Sequence, residues 1–340
     1  MARPVRTATA ALAILWIAAL HAGSGICAPA RLSETGLYAE GRPGAIDPRN
    51  RLFSPQYPLW SDGAKKTRWV SLPAGSAIDT QSRGEWQMPV GTKFWKEFQF
   101  NGRKVETRFL WRATADRWIF ATYVWNEEGT DAVLAPDAGV RGVVELAPGR
   151  SHDIPGVADC LACHGDRRPG PLGFNALQLS TDRDPNAIHG EPLAAGMTTV
   201  ATLDRERLLS PAQPELVANP PRIKTADPQT RAVLGYFAGN CGYCHNRGGD
   251  IAYDGPSLKH SDLGDGDAVA AALLAKATAW QVPGQADGAS YMLKGGRPEA
   301  SAMLARMKSR RPSSQMPPLG TALRDEEAIA AIEAFIRSRR

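Results

Sequence analysis

Cys241-Gly-Tyr-Cys244-His245, preceded 81 residues earlier (241 − 160) by Cys160-Leu-Ala-Cys163-His164, decides how the second half of this 340-residue chain reads. On a helical turn, residues i, i+3 and i+4 share one face. Two thiols can then reach the two vinyl groups of one porphyrin while the adjoining imidazole reaches its iron. Cys-x-x-Cys-His is the attachment signal for c-type haem, and two copies imply two covalently bound haems. Cys160, Cys163, Cys241 and Cys244 are the expected anchors, with His164 and His245 as the proximal iron ligands. A four-thiolate zinc site built from the two pairs would leave the histidine after each pair unused. A dithiol redox pair would want a βαβ setting that neither stretch shows.

The N-terminus fits this chemistry. Arg3 and Arg6 precede an apolar run from Ala8 to about Ala22, and small residues lead to Ala28-Pro29-Ala30. This is the layout of a secretory signal, expected to span residues 1–30 and to place the mature protein in the periplasm. The run is short for a membrane span, so no stable membrane insertion is expected. Cys27 leaves with the signal. The four remaining cysteines all lie in the two motifs, so no separate disulfide framework is expected. Removing residues 1–30 takes two arginines and no acids, lowering the formal charge from +5 to +3 (38 basic against 35 acidic residues). Haem propionates would offset that excess, and charge gives no reason to expect a nucleic-acid partner.

Composition divides the mature chain. Residues 31–150 hold seven of the nine tryptophans: Trp60, Trp69, Trp86, Trp95, Trp111, Trp118 and Trp125. Short aromatic and β-branched runs recur there, separated by turn signals such as Asn101-Gly102, a type I′ hairpin pair. This predicts an all-β sandwich-like domain, with tryptophans mainly in its core. If any ring serves a ligand or an electron path, Trp60 and Trp95 stand out, because charged neighbours suggest edge or loop positions. Residues 151–225 form the first haem-binding segment, rich in Pro and Gly, with Ser210–Pro228 read as an extended connector. Residues 226–340 turn helical: Pro228–Asn240, Asp267–Trp280, Pro298–Lys308 and a closing helix over Asp325–Ile336. The expected fold class is therefore multidomain α+β: a β sandwich followed by mainly α cytochrome c-type haem domains.

The order leading helix, Cys241-Gly-Tyr-Cys244-His245, Met316-Pro317-Pro318-Leu-Gly320, closing helix resembles a class I cytochrome c domain. That resemblance implies Met316, 71 residues after His245, as the distal ligand of the second haem, with Phe237 and Phe335 packing where the first and last helices cross. A thioether opposite an imidazole raises the reduction potential. At the first haem the distal candidates are Met197, then His189 and His152, with an open iron as the remaining alternative. More widely, Tyr57-Pro-Leu-Trp-Ser-Asp-Gly-Ala-Lys65, Pro89-Val-Gly-Thr-Lys-Phe-Trp-Lys-Glu97, Val105-Glu-Thr-Arg108 and Leu172-Gly-Phe-Asn-Ala-Leu-Gln-Leu179 resemble a group of bacterial exported multidomain dihaem proteins. The expected function is electron transfer with a redox partner protein, a dehydrogenase or another cytochrome, docking on the β domain. The alternative is a dihaem peroxidase or oxidase-type enzyme with an open first iron. A third reading makes the β domain a substrate-binding module.

Overall fold

The computed structural model describes residues 26–40, 42, 44–82, 85–165, 170–248, 253–285 and 290–339. Most of the expected signal, residues 1–25, lies outside them. Among the described residues the strands are β1 (Arg51–Phe53), β2 (Lys65–Ser71), β3 (Ile78–Asp79), β4 (Lys93–Phe100), β5 (Arg103–Arg112), β6 (Trp118–Trp125), β7 (Ala132–Leu134), β8 (Val140–Ala147), β9 (Arg150–Ile154), β10 (Leu209–Ser210), β11 (Ala277–Thr278) and β12 (Ser290–Tyr291). The helices are α1 (Val157–His164), α2 (Val200–Arg205), α3 (Pro214–Ala218), α4 (Pro228–Asn240), α5 (Gly266–Ala275), α6 (Ala302–Lys308) and α7 (Glu326–Arg337).

The expected fold class does not hold. The molecule is organised around one antiparallel six-stranded sheet, in the order β1-β2-β4-β5-β6-β7, instead of two facing sheets. Helix is confined to seven short α-helices among the described residues, the longest of thirteen residues, so the haem-motif regions are not mainly α domains. The physical reason is local. Cys-x-x-Cys-His requires one turn of suitable geometry, and Pro and Gly in residues 165–225 stop helices before a second or third turn. Helices this short depend on tertiary packing. The Ser210–Pro228 connector itself includes α3.

The sheet needs no second sheet because other chain segments cover both faces. Side chains alternate across a strand, and the register sorts them. On one face Trp69, Trp95, Phe109, Ala121 and Tyr123 pack with Leu32, Leu37 and Tyr38 of the N-terminal segment. On the other, Phe53, Val70 and Phe94 pack with Phe174, Leu179, Val200 and Leu203. Asn101 and Gly102, both at positive φ, make the expected tight turn between β4 and β5. Trp95 lies on central strand β4, is 1% exposed, and donates its Nε1–H to Thr35 Oγ1. It is a core residue, and its charged neighbours Lys96 and Glu97 reflect strand alternation instead of an edge.

The C-terminal helices share a separate core with Phe237 and Phe335 both fully buried in it, and α4 packs against α7. Tyr57 joins this core from the sheet side. It lies in the groove of Gly235 and Gly239 on α4: a Cβ on Gly235 would fall 2.0 Å from the Tyr57 ring, and one on Gly239 2.3 Å from its carbonyl oxygen. Trp60 N–H donates to Asn240 Oδ1 at 2.7 Å. Asp62 Oδ1 accepts from Ala322 and Leu323 N–H at 2.9 and 2.8 Å. Residues 57–62 thus strap the sheet to the chain around the second motif.

Candidate haem-attachment site

The first motif lies on α1. Gly156 N–H bonds Asp159 Oδ2 at 3.0 Å at its start, and Gly165 at φ 65° ends it. Within that helix Cys160, Cys163 and His164 take the i, i+3, i+4 positions, and α1 rests on β6. The His164 ring sits 5.0 Å from Phe120 on β6, and its Nδ1 is 2.5 Å from Gly170 O. A carbonyl can only accept, so Nδ1 carries the hydrogen and the Nε2 lone pair is free. This is the arrangement by which a protein orients an iron-binding imidazole. Burial, with Lys96 and Arg108 nearby, holds the ring's pKa down to about 4 against the opposing Gly170 bond. The ring is therefore neutral at physiological pH.

The second motif is a turn at the end of α4. Cys241 N–H donates to Phe237 O at 2.8 Å, and His245 N–H to Cys241 O at 2.9 Å. Gly242 is required there, because a Cβ would fall 2.2 Å from Leu258 O. Asn246 Nδ2 donates to Gly242 and Tyr243 carbonyls at 2.9 and 3.1 Å, so it caps the turn. His245 packs edge-on against Tyr253, with ring centroids 4.6 Å apart. Its Nδ1 is buried without a hydrogen-bond partner among the described residues. Burial and the Arg306 guanidinium keep its pKa below the usual range.

The two motifs meet. The Cys163 and Cys244 thiols lie close enough to interact, and this, followed by burial, raises the Cys163 pKa. Burial pushes Cys241 up to about 12, with Cys244 adding to it, and burial raises Cys160. All four thiols are therefore protonated at neutral pH, which slows their oxidation. Among the described residues, no three His, Cys, Asp or Glu converge as a metal-ion cluster, the arrangement a zinc site would need. Paired thiols beside an oriented imidazole in one motif, and beside a buried unpartnered imidazole nitrogen in the other, fit covalent haem.

Met316 lies on the second-motif side. Its N–H donates to Arg306 O at 3.1 Å, and Arg306 is the cation that also acts on His245. It lines a small cavity with Trp60, Tyr236, Asn240, Met307 and Arg310. Arg310 fixes the loop by donating to Met307 O at 2.7 Å and Leu323 O at 2.9 Å. The distal candidates for the first motif have the following partners. His152 is 2% exposed, with Nε2 3.0 Å from Glu106 and Nδ1 3.6 Å from Asp62. His189 pairs through Nε2 with Asp325 at 2.8 Å and through Nδ1 with Glu327 at 3.3 Å. Met197 occupies a turn beside β1, where the next residue, Thr198, donates to Leu52 O at 2.7 Å. Strand β1 stands four places from β6, the strand on which α1 rests.

The residues that sequence reasoning missed lie on the sheet face toward the motifs. Arg68, Lys96 and Arg108 stand directly opposite one another on β2, β4 and β5, with Lys66 beside them. Their signal was available: Lys66-x-Arg68 and Glu106-x-Arg108 put charges at the same alternating parity as the core residues Val70 and Phe94. No helix among the described residues is long and apolar enough to cross a membrane. No family model, curated protein or solved structure matches the chain.

Proposed function

We propose that the chain is an exported dihaem c-type cytochrome that transfers electrons, and that its two haems form one short path. The observation that carries this is the contact between Cys163 and Cys244, one anchor from each motif. Anchors this close would let two attached haems lie near one another. When bound, each haem supplies a one-electron Fe(III)/Fe(II) couple. Cys160 and Cys163 would anchor the first haem and Cys241 and Cys244 the second, with His164 and His245 as proximal ligands. Met316 would be the distal ligand of the second haem, and Trp60, in the cavity beside it, would shield that side from water. Electrons would enter and leave through redox partner proteins in the periplasm.

The test is to mix haem-loaded protein with less than one equivalent of a fast one-electron reductant and follow both haems. The expected result is a single phase, with electrons distributed between the haems within the mixing time. Two independent phases, each haem reduced at its own rate without exchange, would contradict a relay.

A second reading has its own observation: His152 and His189 are engaged with carboxylates, and Met197 precedes a residue bonded to β1. An open first iron would suit a peroxidase or oxidase-type enzyme. Ferrous-minus-ferrous-CO spectra showing CO on about half the haem, together with peroxide turnover, would favour it. No CO response would remove it.

A further inference from the structure

We propose that Arg68, Lys96 and Arg108, with Lys66 beside them, form the receiving site for haem propionates, an anion cradle on the central sheet beneath both motifs. The proposal rests on the dihaem reading and adds the residues that hold the carboxylates.

The geometry is unusual for a sheet interior. Arg68 pairs in register with Lys96, and Lys96 with Arg108, so three cations stand in one cross-strand row on adjacent strands. Like charges directly opposite are destabilising, and neighbouring strands lie only about 4.8 Å apart. The row spans roughly 10 Å, enough for two carboxylate groups. The protein's own counter-charges cover its ends: Glu191 Oε2 accepts from Arg68 Nη1 at 3.0 Å, and Glu106 Oε1 from Arg108 Nη2 at 2.7 Å. Glu106 also serves His152.

The middle is left open. Among the described residues, Lys96 makes no hydrogen bond and no close ion pair; Glu106 acts on it only from a distance, and its ammonium lies 5.0 Å from the Phe98 ring centroid. Arg68 Nη2 is buried without a partner. Lys66 donates to Leu59 O at 2.6 Å, a neutral acceptor. Arg68 is buried and Lys66 and Lys96 are half-buried, and withdrawing cations from water is unfavourable unless an anion joins them. The row also lies within electrostatic reach of both motifs. Arg108 acts electrostatically on Cys160, Cys163 and His164, Lys96 on His164, and Arg68 on Tyr243, which lies between Cys241 and Cys244. The chemistry asked for is a pair of carboxylates on a flat apolar body, since Phe98 and Phe120 flank the cations on the same face.

The test uses the full chain matured with haem, as wild type, Lys96→Met and Lys96→Arg. Haem stoichiometry is measured first, then the midpoint potentials, then urea unfolding of the haem-free forms. The expected result is two haems in every variant. In Lys96→Met, one haem should shift to lower potential by about tenfold in its Fe(III)/Fe(II) ratio, about 59 mV for a one-electron couple, because a nearby cation disfavours Fe(III). Lys96→Arg keeps the wild-type potential. Haem-free Lys96→Met unfolds at higher urea than haem-free wild type, since a half-buried cation between two others has been removed. Two haems with unchanged potentials in Lys96→Met would overturn the cradle and leave the dihaem reading standing. A wild type carrying no haem would overturn the dihaem reading, and the cradle with it.

Discussion

Lys66 is a cation that this fold holds at a cost. Burial, reinforced by Arg68 and Arg108 and only partly opposed by Glu191 and Asp62, lowers its pKa to about 7 from 10.5. The unfolded chain then binds more protons than the folded one between those values, so the contribution of Lys66 to stability rises with pH from about 7 to about 10.5. Lys66→Met removes that dependence. Urea unfolding of the haem-free chain at pH 7 and pH 10 should show wild type gaining on Lys66→Met at the higher pH; an equal difference at both values would contradict the pairing described. Met316 carries the other single-residue test. In loaded protein, Met316→Ala should let CO bind one haem more per chain than wild type. Unchanged CO stoichiometry would remove Met316 as a ligand.

Helix α4 shows why some elements are legible in sequence and their partners are not. Its limits, Pro228–Asn240, follow from the Asp227 N-cap, which accepts from Gln229 and Thr230 N–H, and from the proline at its first position. The closing helix was equally readable, with Asp325 capping Ala328 N–H and acids at its start. What seats on α4 was not legible: Gly235 and Gly239 look like helix-weakening residues until Tyr57 is placed in their groove. Gly235→Ala should destabilise the fold by about 1–3 kcal/mol through overpacking against that ring, read as a lower urea midpoint; an unchanged midpoint would mean that Tyr57 has room to move. The tryptophan-rich runs became strands β4, β5 and β6 of the sheet. They could not show whether a second sheet or other chain segments cover the faces, because both solutions need the same alternation.

At the scale of the whole molecule, sequence separation hides the site. The cations of β2, β4 and β5, the thiols of α1 and those after α4 come from residues 66–244, and only the sheet register places the first set in one row beneath the others. The motifs were legible because their chemistry is local; the approach of Cys163 to Cys244 was not, because it depends on long-range packing. The contact predicts that the two haems, once attached, interact: a redox titration should fit two coupled couples, and visible circular dichroism should show a split signal in the haem absorption. Two unsplit, independent centres would place the haems apart. The most direct measurement of all is the intact mass of the mature chain after expression with a haem-attachment system, before and after Cys163→Ser plus Cys244→Ser. The account predicts a chain carrying two covalent haems, reduced in stable haem content by the double substitution. A mature chain at its unmodified polypeptide mass would contradict it.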